Sequence, residues 1–338
     1  MSTFNRLFSG PSGENEAALK LIVAAIEPLL VRERLFREDF ERRLLAEFRE
    51  HVEARMNHYH LRAPIAFDPR ATLMIHTIDG QRLILDQHES FMAHHLIEHG
   101  EWESQVRALI RKLLPNGGVF LDVGANIGAH SLLAASVVGP TGRVHALEPH
   151  PRVRGILEQN VEINGLVGVI DVLGDAIGEA PQEAVPFEYF PEHPAMSGFK
   201  VPQKRIEELR GRPQVIDVRV TTIDDVLARF GRKADLIKID VEGFELAALR
   251  GALQTMATAD APAFIVEYGG ELMEAVVGRD APDAMHDIIV GAGYVAYPVT
   301  EPFAAKPLDW GERRSFNGDL VLCKPNSPAA GRLGLTGK

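Results

Sequence analysis

The stretch VFLDVGANIGAHSLLAA, residues 119–135, runs from one apolar segment through a turn marked by two glycines into another. Gly118–Val123 reads as a strand buried on both faces, and Ala129–Val138 as a helix. Gly124 and Gly128 let the backbone turn sharply and approach a ligand at the carboxyl end of that strand, where doubly wound sheets bind their cofactors. Glu148 follows 20 residues after Gly128, at the end of the next apolar strand, Arg143–Leu147. A carboxylate in that place can accept both hydroxyls of an adenosine ribose.

Outward from this unit the alternation continues. Arg152–Asn164 has a helical pattern, Val169–Leu173, Asp235–Ile239 and Ala263–Val266 are short apolar strands, and Phe244–Thr258 is a helix between the last two. Such a series predicts an α/β fold with a doubly wound, mostly parallel sheet covered on both faces. Tyr294–Val299 and Asp319–Leu322 lack a long helix between them and are expected to pair antiparallel at one edge. Toward the N-terminus, Glu89–Arg111 is helical in pattern, and Leu73–Ile78 and Arg82–Leu85 flank Asp79 and Gly80 as a hairpin. Between Val31 and Tyr59, apolar residues such as Phe36, Phe40, Leu44, Phe48 and Val52 recur at three- and four-residue spacing, which predicts a long amphipathic helix. Its stripe needs a partner, either the chain's own catalytic domain or a second copy in a homodimer. The Gly, Pro and Ala content of residues 325–338 predicts a loose tail.

The 338 residues are 46% apolar and 25% charged, the balance of a globular protein with a sizeable core. The sequence contains no uncharged apolar run of about eighteen residues, so no membrane span is expected. A net charge of −11 would repel a phosphate backbone and argues against nucleic acid as a partner. Cys323 is the only cysteine, which leaves no intrachain disulfide and no cysteine metal site; a cytoplasmic location is expected.

Two cofactor classes share a strand, a glycine turn and a distal acid. A pyrophosphate needs GxGxxG spacing at a helix N-terminus. Here the glycines stand at 124 and 128, with Asn126 between them and Asp122 just before the turn. Asp122 would repel a pyrophosphate but can hold, directly or through water, the ammonium group of a methionine moiety. The sign of the charge favours S-adenosylmethionine over a nicotinamide dinucleotide.

VFLDVGANIGAHSLLAA, GRVHALEPHPRVRGILEQNVEING (residues 142–165), VTTIDDVL (220–227) and ADLIKIDVEGFELAALRGA (234–252) resemble the successive motifs of FkbM-type methyltransferases. HGEWES (99–104), with the hairpin before it, resembles the lead-in to that family's first strand. Residues 1–65 lie outside the resemblance, and 179–214 match loosely. The resemblance implies a class I methyltransferase (Rossmann-like) sheet of seven strands, the last antiparallel, and transfer of the methyl group of S-adenosylmethionine, usually to a hydroxyl. It implies that Asp122, Gly124, Asn126 and Gly128 surround the methionine end of the cofactor and that Glu148 holds the ribose. Asp175, in VLGDAIG, is expected against the adenine amine or, alternatively, as a cap of the following turn. The chain then divides into an N-terminal helical extension (1–65), a lead-in hairpin and helix (66–103), a methyltransferase domain (104–325) and a loose tail (326–338).

Lys238, Asp240 and Glu242 alternate at the carboxyl end of the fourth strand, so their side chains point to one side, toward the expected acceptor crevice. Buried strands rarely carry three charges. A structural alternative pairs Lys238 with Asp240 and uses Glu242 to cap the helix near Gly243. Methyl transfer to an alcohol benefits from a base as the hydroxyl proton is lost. Asp240 is the first candidate, with Glu242 as orienting group and Lys238 tuning the site or stabilising oxyanion charge. Asp240 and Glu267 could instead hold Mg²⁺, but Tyr268 stands where a further oxygen ligand would be expected, and no metal is assigned. His130, just inside the helix after the glycine turn, reads as helix packing or, alternatively, as facing the acceptor, and His94, His95 and His99 read as helix surface. His193 and Ser197 read as residues of a loop that either touches the acceptor or faces solvent. The expected activity is O-methylation of a sugar, glycan or natural-product hydroxyl. A nicotinamide-dependent oxidoreductase and a non-catalytic scaffold are the competing readings.

Overall fold

The computed structural model describes residues 65–68, 72–86, 90–190, 197–202, 206–207 and 213–335. The amphipathic helix expected between Val31 and Tyr59, with the homodimer built on it, and His193 lie outside the described residues. In chain order, β1 (Ile65–Asp68), β2 (Thr72–His76) and β3 (Arg82–Asp86) form an antiparallel sheet that contains the expected hairpin. Next come α1 (Ser90–His99), α2 (Ser104–Leu113), β4 (Val119–Val123), α3 (Ala129–Val138), β5 (Arg143–Leu147), α4 (Pro151–Ile163) and β6 (Ile170–Leu173). A second small sheet holds β7 (Ala176–Ile177), β8 (Gln182–Tyr189) and β9 (Gln214–Thr221). The chain continues through α5 (Ile223–Phe230), β10 (Leu236–Ile239), α6 (Glu245–Arg250), α7 (Leu253–Ala257) and β11 (Ala263–Gly269). It closes with α8 (Gly270–Val276), α9 (Ala281–Gly291), β12 (Val295–Pro298), β13 (Asn317–Cys323) and α10 (Pro328–Leu333).

The main sheet has seven strands in the order β12-β13-β11-β10-β4-β5-β6. Its pairs are parallel except those of β13, which runs antiparallel to β11 and to β12. This is the class I methyltransferase, Rossmann-like sheet. Every residue of β4 is buried because β10 and β5 flank it and both faces are covered, which accounts for its unbroken apolar run. Alternate residues feed opposite cores: Phe120, Leu236 and Ile265 on one face, Leu121, Ile237 and Val266 on the other. From β4 the chain moves to β5 and β6 on one side and then returns to β10 and β11 on the other. The carboxyl ends of β4 and β10 therefore flank the switch point, where a crevice opens. Among the described residues no helix is long and apolar enough to cross a membrane.

Several expected boundaries are corrected. The helix expected over Glu89–Arg111 is two, α1 and α2, because the Gly100 carbonyl turns to accept from Ile78 N (2.9 Å) and Glu103 takes a left-handed φ of 50°. The helix expected over Phe244–Thr258 breaks at Gly251, whose carbonyl accepts from Asp224 N, while the Asp224 carboxylate caps α7 through Gln254 N and Thr255 N. The tail expected to be loose contains α10: Ser327 Oγ accepts from Ala330 N (3.2 Å), Ala330 and Leu333 are buried, and Arg332 reaches the Leu113 carbonyl at 2.6 Å. The β7-β9-β8 sheet is a further finding. Its alternation is present in the sequence, Ile216, Val218 and Val220 on β9 facing Val185, Phe187 and Tyr189 on β8 over a small core, but no sheet is expected from it.

Asn160, fully buried on α4, ties the hairpin to the glycine turn. Its Oδ1 accepts from Ile84 N (2.6 Å), and its Nδ2 donates to the carbonyls of Ile84 (3.2 Å) and Ile127 (2.9 Å). Asn160→Ala strands three buried backbone groups and is expected to lower stability by about 3 kcal/mol, measured by denaturant unfolding.

Candidate active site

A solvent-open cleft with about 1140 Å³ of empty space lies at the carboxyl ends of β4, β5 and β10. Its lining includes Gly124, Ala125 and Asn126 of the glycine turn, Glu148 and Asp175, and, packed beside the turn, Lys238, Asp240, Glu242 and Glu267. Gly124 makes this closeness possible: its φ is 83°, and a Cβ there would sit 1.9 Å from the Asp240 carbonyl oxygen. Gly128 serves packing, since a Cβ would meet Leu157 Cδ1 at 2.4 Å. Asn126 adopts φ 49°, a left-handed conformation that Asn tolerates better than most residues. Asp122 is fully buried and is not among the described cleft-lining residues; its Oδ2 accepts from Ser131 Oγ at 2.6 Å, and its Oδ1 has no protein partner.

Glu148 is held from two sides. Its Oε2 accepts from Asn126 N (3.0 Å) and its Oε1 from His150 N (2.9 Å). Burial pushes its pKa up to about 7, against the two backbone donors and Arg154. Each oxygen keeps a further lone pair, so the group suits a pair of hydroxyl donors. Hydroxyl donors stabilise only the ionised form, so affinity for an adenosine ligand should be full above pH 7 and decline as the pH falls through it. Between pH 8 and pH 6, calorimetry with S-adenosylhomocysteine should show about tenfold weaker binding. Asp175 also borders the cleft, but Arg219 occupies it, with Nη2 3.0 Å from Oδ2 and Nε against Oδ1.

Lys238 is the one Lys or Arg among the described cleft-lining residues, and its Nζ donates to Asp240 Oδ2 at 2.7 Å. Burial works against its charge, but Asp240, Glu103 and Asp122 overcome this and raise its pKa above the ordinary value. The donor set therefore suits hydroxyls and an amino acid zwitterion and presents no second basic side chain to a pyrophosphate. Glu242 takes φ 53° on the cleft wall. Glu245, the first residue of α6, reaches back so that its Oε1 accepts from Val241 N and Gly243 N, both at 3.1 Å, which fixes the turn that carries Glu242; α6 has no side-chain cap hydrogen bond. Carboxylate oxygens of Asp240, Glu242 and Glu267 lie within 4.8 Å of one another. The Asp240 charge, then burial, pushes Glu267 up to about 11, and Glu267 shares a hydrogen bond with Asp240, so this cluster holds a proton at neutral pH.

The sequence profile of the methyltransferase FkbM domain matches residues 122–296, from within β4 into β12. The chain belongs to this family. It is 29% identical over 212 residues to the AMB antimetabolite synthetase AmbE of Pseudomonas aeruginosa, covering 54% of this chain and 10% of that one. It is 28% identical over 162 residues to the methyltransferase sdnD of Sordaria araneosa, covering 41% of this chain and 61% of that one. The chain thus spans less than two thirds of either relative. Similar solved structures include an O-methyltransferase from Bacillus cereus in complex with SAH, at 14% identity and a TM-score of 0.39, covering 68% of this chain and 84% of that one.

As an FkbM-domain methyltransferase, the protein has S-adenosylmethionine as its cofactor. His130 and Ser197 also line this FkbM cleft, and so does Glu103, to which the sequence reading gave no role. His130 lines it rather than only packing α3, and its Nε2 donates to Glu103 Oε2 at 2.8 Å. Ser197 lines it with its Oγ buried and unpartnered by protein. The signal for Glu103 lay in HGEWES, but a pattern read as continuous helix concealed the turn that aims it.

Proposed function

We propose that this FkbM methyltransferase methylates a hydroxyl of a sugar, glycan or natural-product acceptor. Glu148 holds the cofactor ribose, the Gly124–Gly128 turn borders its methionine end with the Asp122 charge buried behind it, and Asp175 borders the adenine. Asp240 takes up the hydroxyl proton, Glu242 orients the acceptor, and Lys238 holds Asp240 in place. The observation that carries this reading is the Lys238–Asp240 pair: Nζ is buried 2.7 Å from Oδ2, the Asp240 side chain remains 28% exposed, and its residue abuts the glycine turn. The bound cofactor supplies an electrophilic methyl group on a sulfonium. The chain's part is to hold a nucleophile in line with it and to accept a proton. A natural-product acceptor also accords with the antimetabolite synthetase among the relatives.

Incubation with methyl-labelled S-adenosylmethionine and a panel of hydroxylated acceptors tests this. Label on oxygen is expected; label on nitrogen or carbon overturns it. A second reading places a divalent cation among Asp240, Glu242 and Glu267, favoured by the 4.8 Å clustering of their oxygens. With the proton on Glu267 supplying the balance of charge, turnover should survive dialysis against EDTA. A loss restored by Mg²⁺ would establish the cation instead.

A further inference from the structure

The Trp102–Glu103 turn forms part of the cleft wall, beside the start of α3. Of the four described non-glycine residues with positive φ, Glu103, Asn126 and Glu242 all line this cleft. A glutamate at φ 50° is unfavourable, and surrounding structure must hold it there. His130 does so. A carboxylate only accepts, so Nε2 carries the hydrogen of the 2.8 Å bond and locks the carboxylate in place. The Glu103 side chain stays 30% exposed, while His130 behind it is 7% exposed. Burial works against the charge of Glu103, but the His130 bond and the nearby Lys238 hold its pKa down to about 2, so it is anionic. It stands at the first turn of α3, whose N-cap, Gly128, gives no side-chain hydrogen bond. The backbone N–H groups of that turn lack intrahelical acceptors. An anion beside the N–H donors of a helix start is the complement of a zwitterion: ammonium on the carboxylate, carboxylate on the N–H groups. Asp122, with the same charge, lies buried behind the wall.

We propose that Glu103, positioned by His130, is the cleft carboxylate that takes the ammonium of the cofactor's amino acid end. This rests on S-adenosylmethionine being the cofactor. Two probes separate the parts: S-adenosylhomocysteine carries the amino acid end, and 5′-methylthioadenosine keeps the nucleoside without it. Calorimetric titration of the full chain should show Glu103→Gln weakening S-adenosylhomocysteine at least tenfold and leaving 5′-methylthioadenosine within twofold. Glu103→Asn, whose side chain tolerates left-handed backbone, should give the same split and guards against a folding defect. His130→Gln should give the split in weaker form. Unchanged affinity for S-adenosylhomocysteine, or equal loss for both probes, overturns the assignment. A wild type that binds neither probe would instead overturn the cofactor reading beneath it.

Discussion

Asp240→Asn should leave S-adenosylhomocysteine binding within about threefold and cut methyl transfer by about 10²- to 10⁴-fold, the range that a positioned base contributes. The substitution keeps the shape and keeps an oxygen to accept from Lys238 Nζ, now 2.7 Å away, but removes the lone pair that takes up the proton. It also removes the charge that does most to raise Glu267, so the pKa of Glu267 should move down toward its ordinary range. Initial rates with labelled cofactor and the acceptor that the wild type methylates measure the first effect. A pH–rate profile and carboxyl titration measure the second. Undiminished kcat would remove Asp240 from the chemistry and leave the Lys238–Asp240 pair as architecture alone.

Among the described glycines, Gly124→Ala should be the most damaging. At φ 83° an alanine pays for left-handed backbone, about 1–2 kcal/mol, and its methyl would lie 1.9 Å from the Asp240 carbonyl oxygen, a backbone atom that cannot swing aside. Relief requires the glycine turn and the end of β10 to separate, which moves both parts of the cleft lining at once. Stability should fall by about 3 kcal/mol or more, and S-adenosylhomocysteine affinity by about 10²-fold or more. Gly155→Ala is the control: a Cβ there, in the middle of α4, meets nothing within 4 Å, and stability should rise by about 0.5–1 kcal/mol. Equal behaviour of the two alanine variants in thermal melts would contradict the close approach at Gly124.

The central strands were legible because two-sided burial writes continuous apolar runs, as in VFLDV and LIKI, and because the glycine turn and Glu148 sit at fixed places on that frame. The antiparallel pairing of β12 and β13 followed from the lack of a long helix between them. What escaped depends on atoms far apart in sequence. Helical periodicity runs through HGEWES, yet the hairpin takes the Gly100 carbonyl and turns Glu103 into the cleft. Arg219 claims both oxygens of Asp175 from β9, whose alternating Ile216, Val218 and Val220 went unread and whose pairing with Asp175 no local pattern shows. Burial of Asp122 behind Ser131, and the reach of Glu245 back to the backbone around Glu242, are likewise matters of side-chain direction at neighbouring positions.

The claim beneath all of this is that an adenosine ribose rests on the Glu148 carboxylate. Wild-type protein titrated at pH 8 with S-adenosylhomocysteine and with its 2′,3′-dideoxy counterpart tests it without disturbing a single side chain. Two hydrogen bonds to an ionised carboxylate are worth about 3 kcal/mol or more, so the dideoxy compound should bind about 10²-fold more weakly. Equal affinity for the two compounds would contradict it.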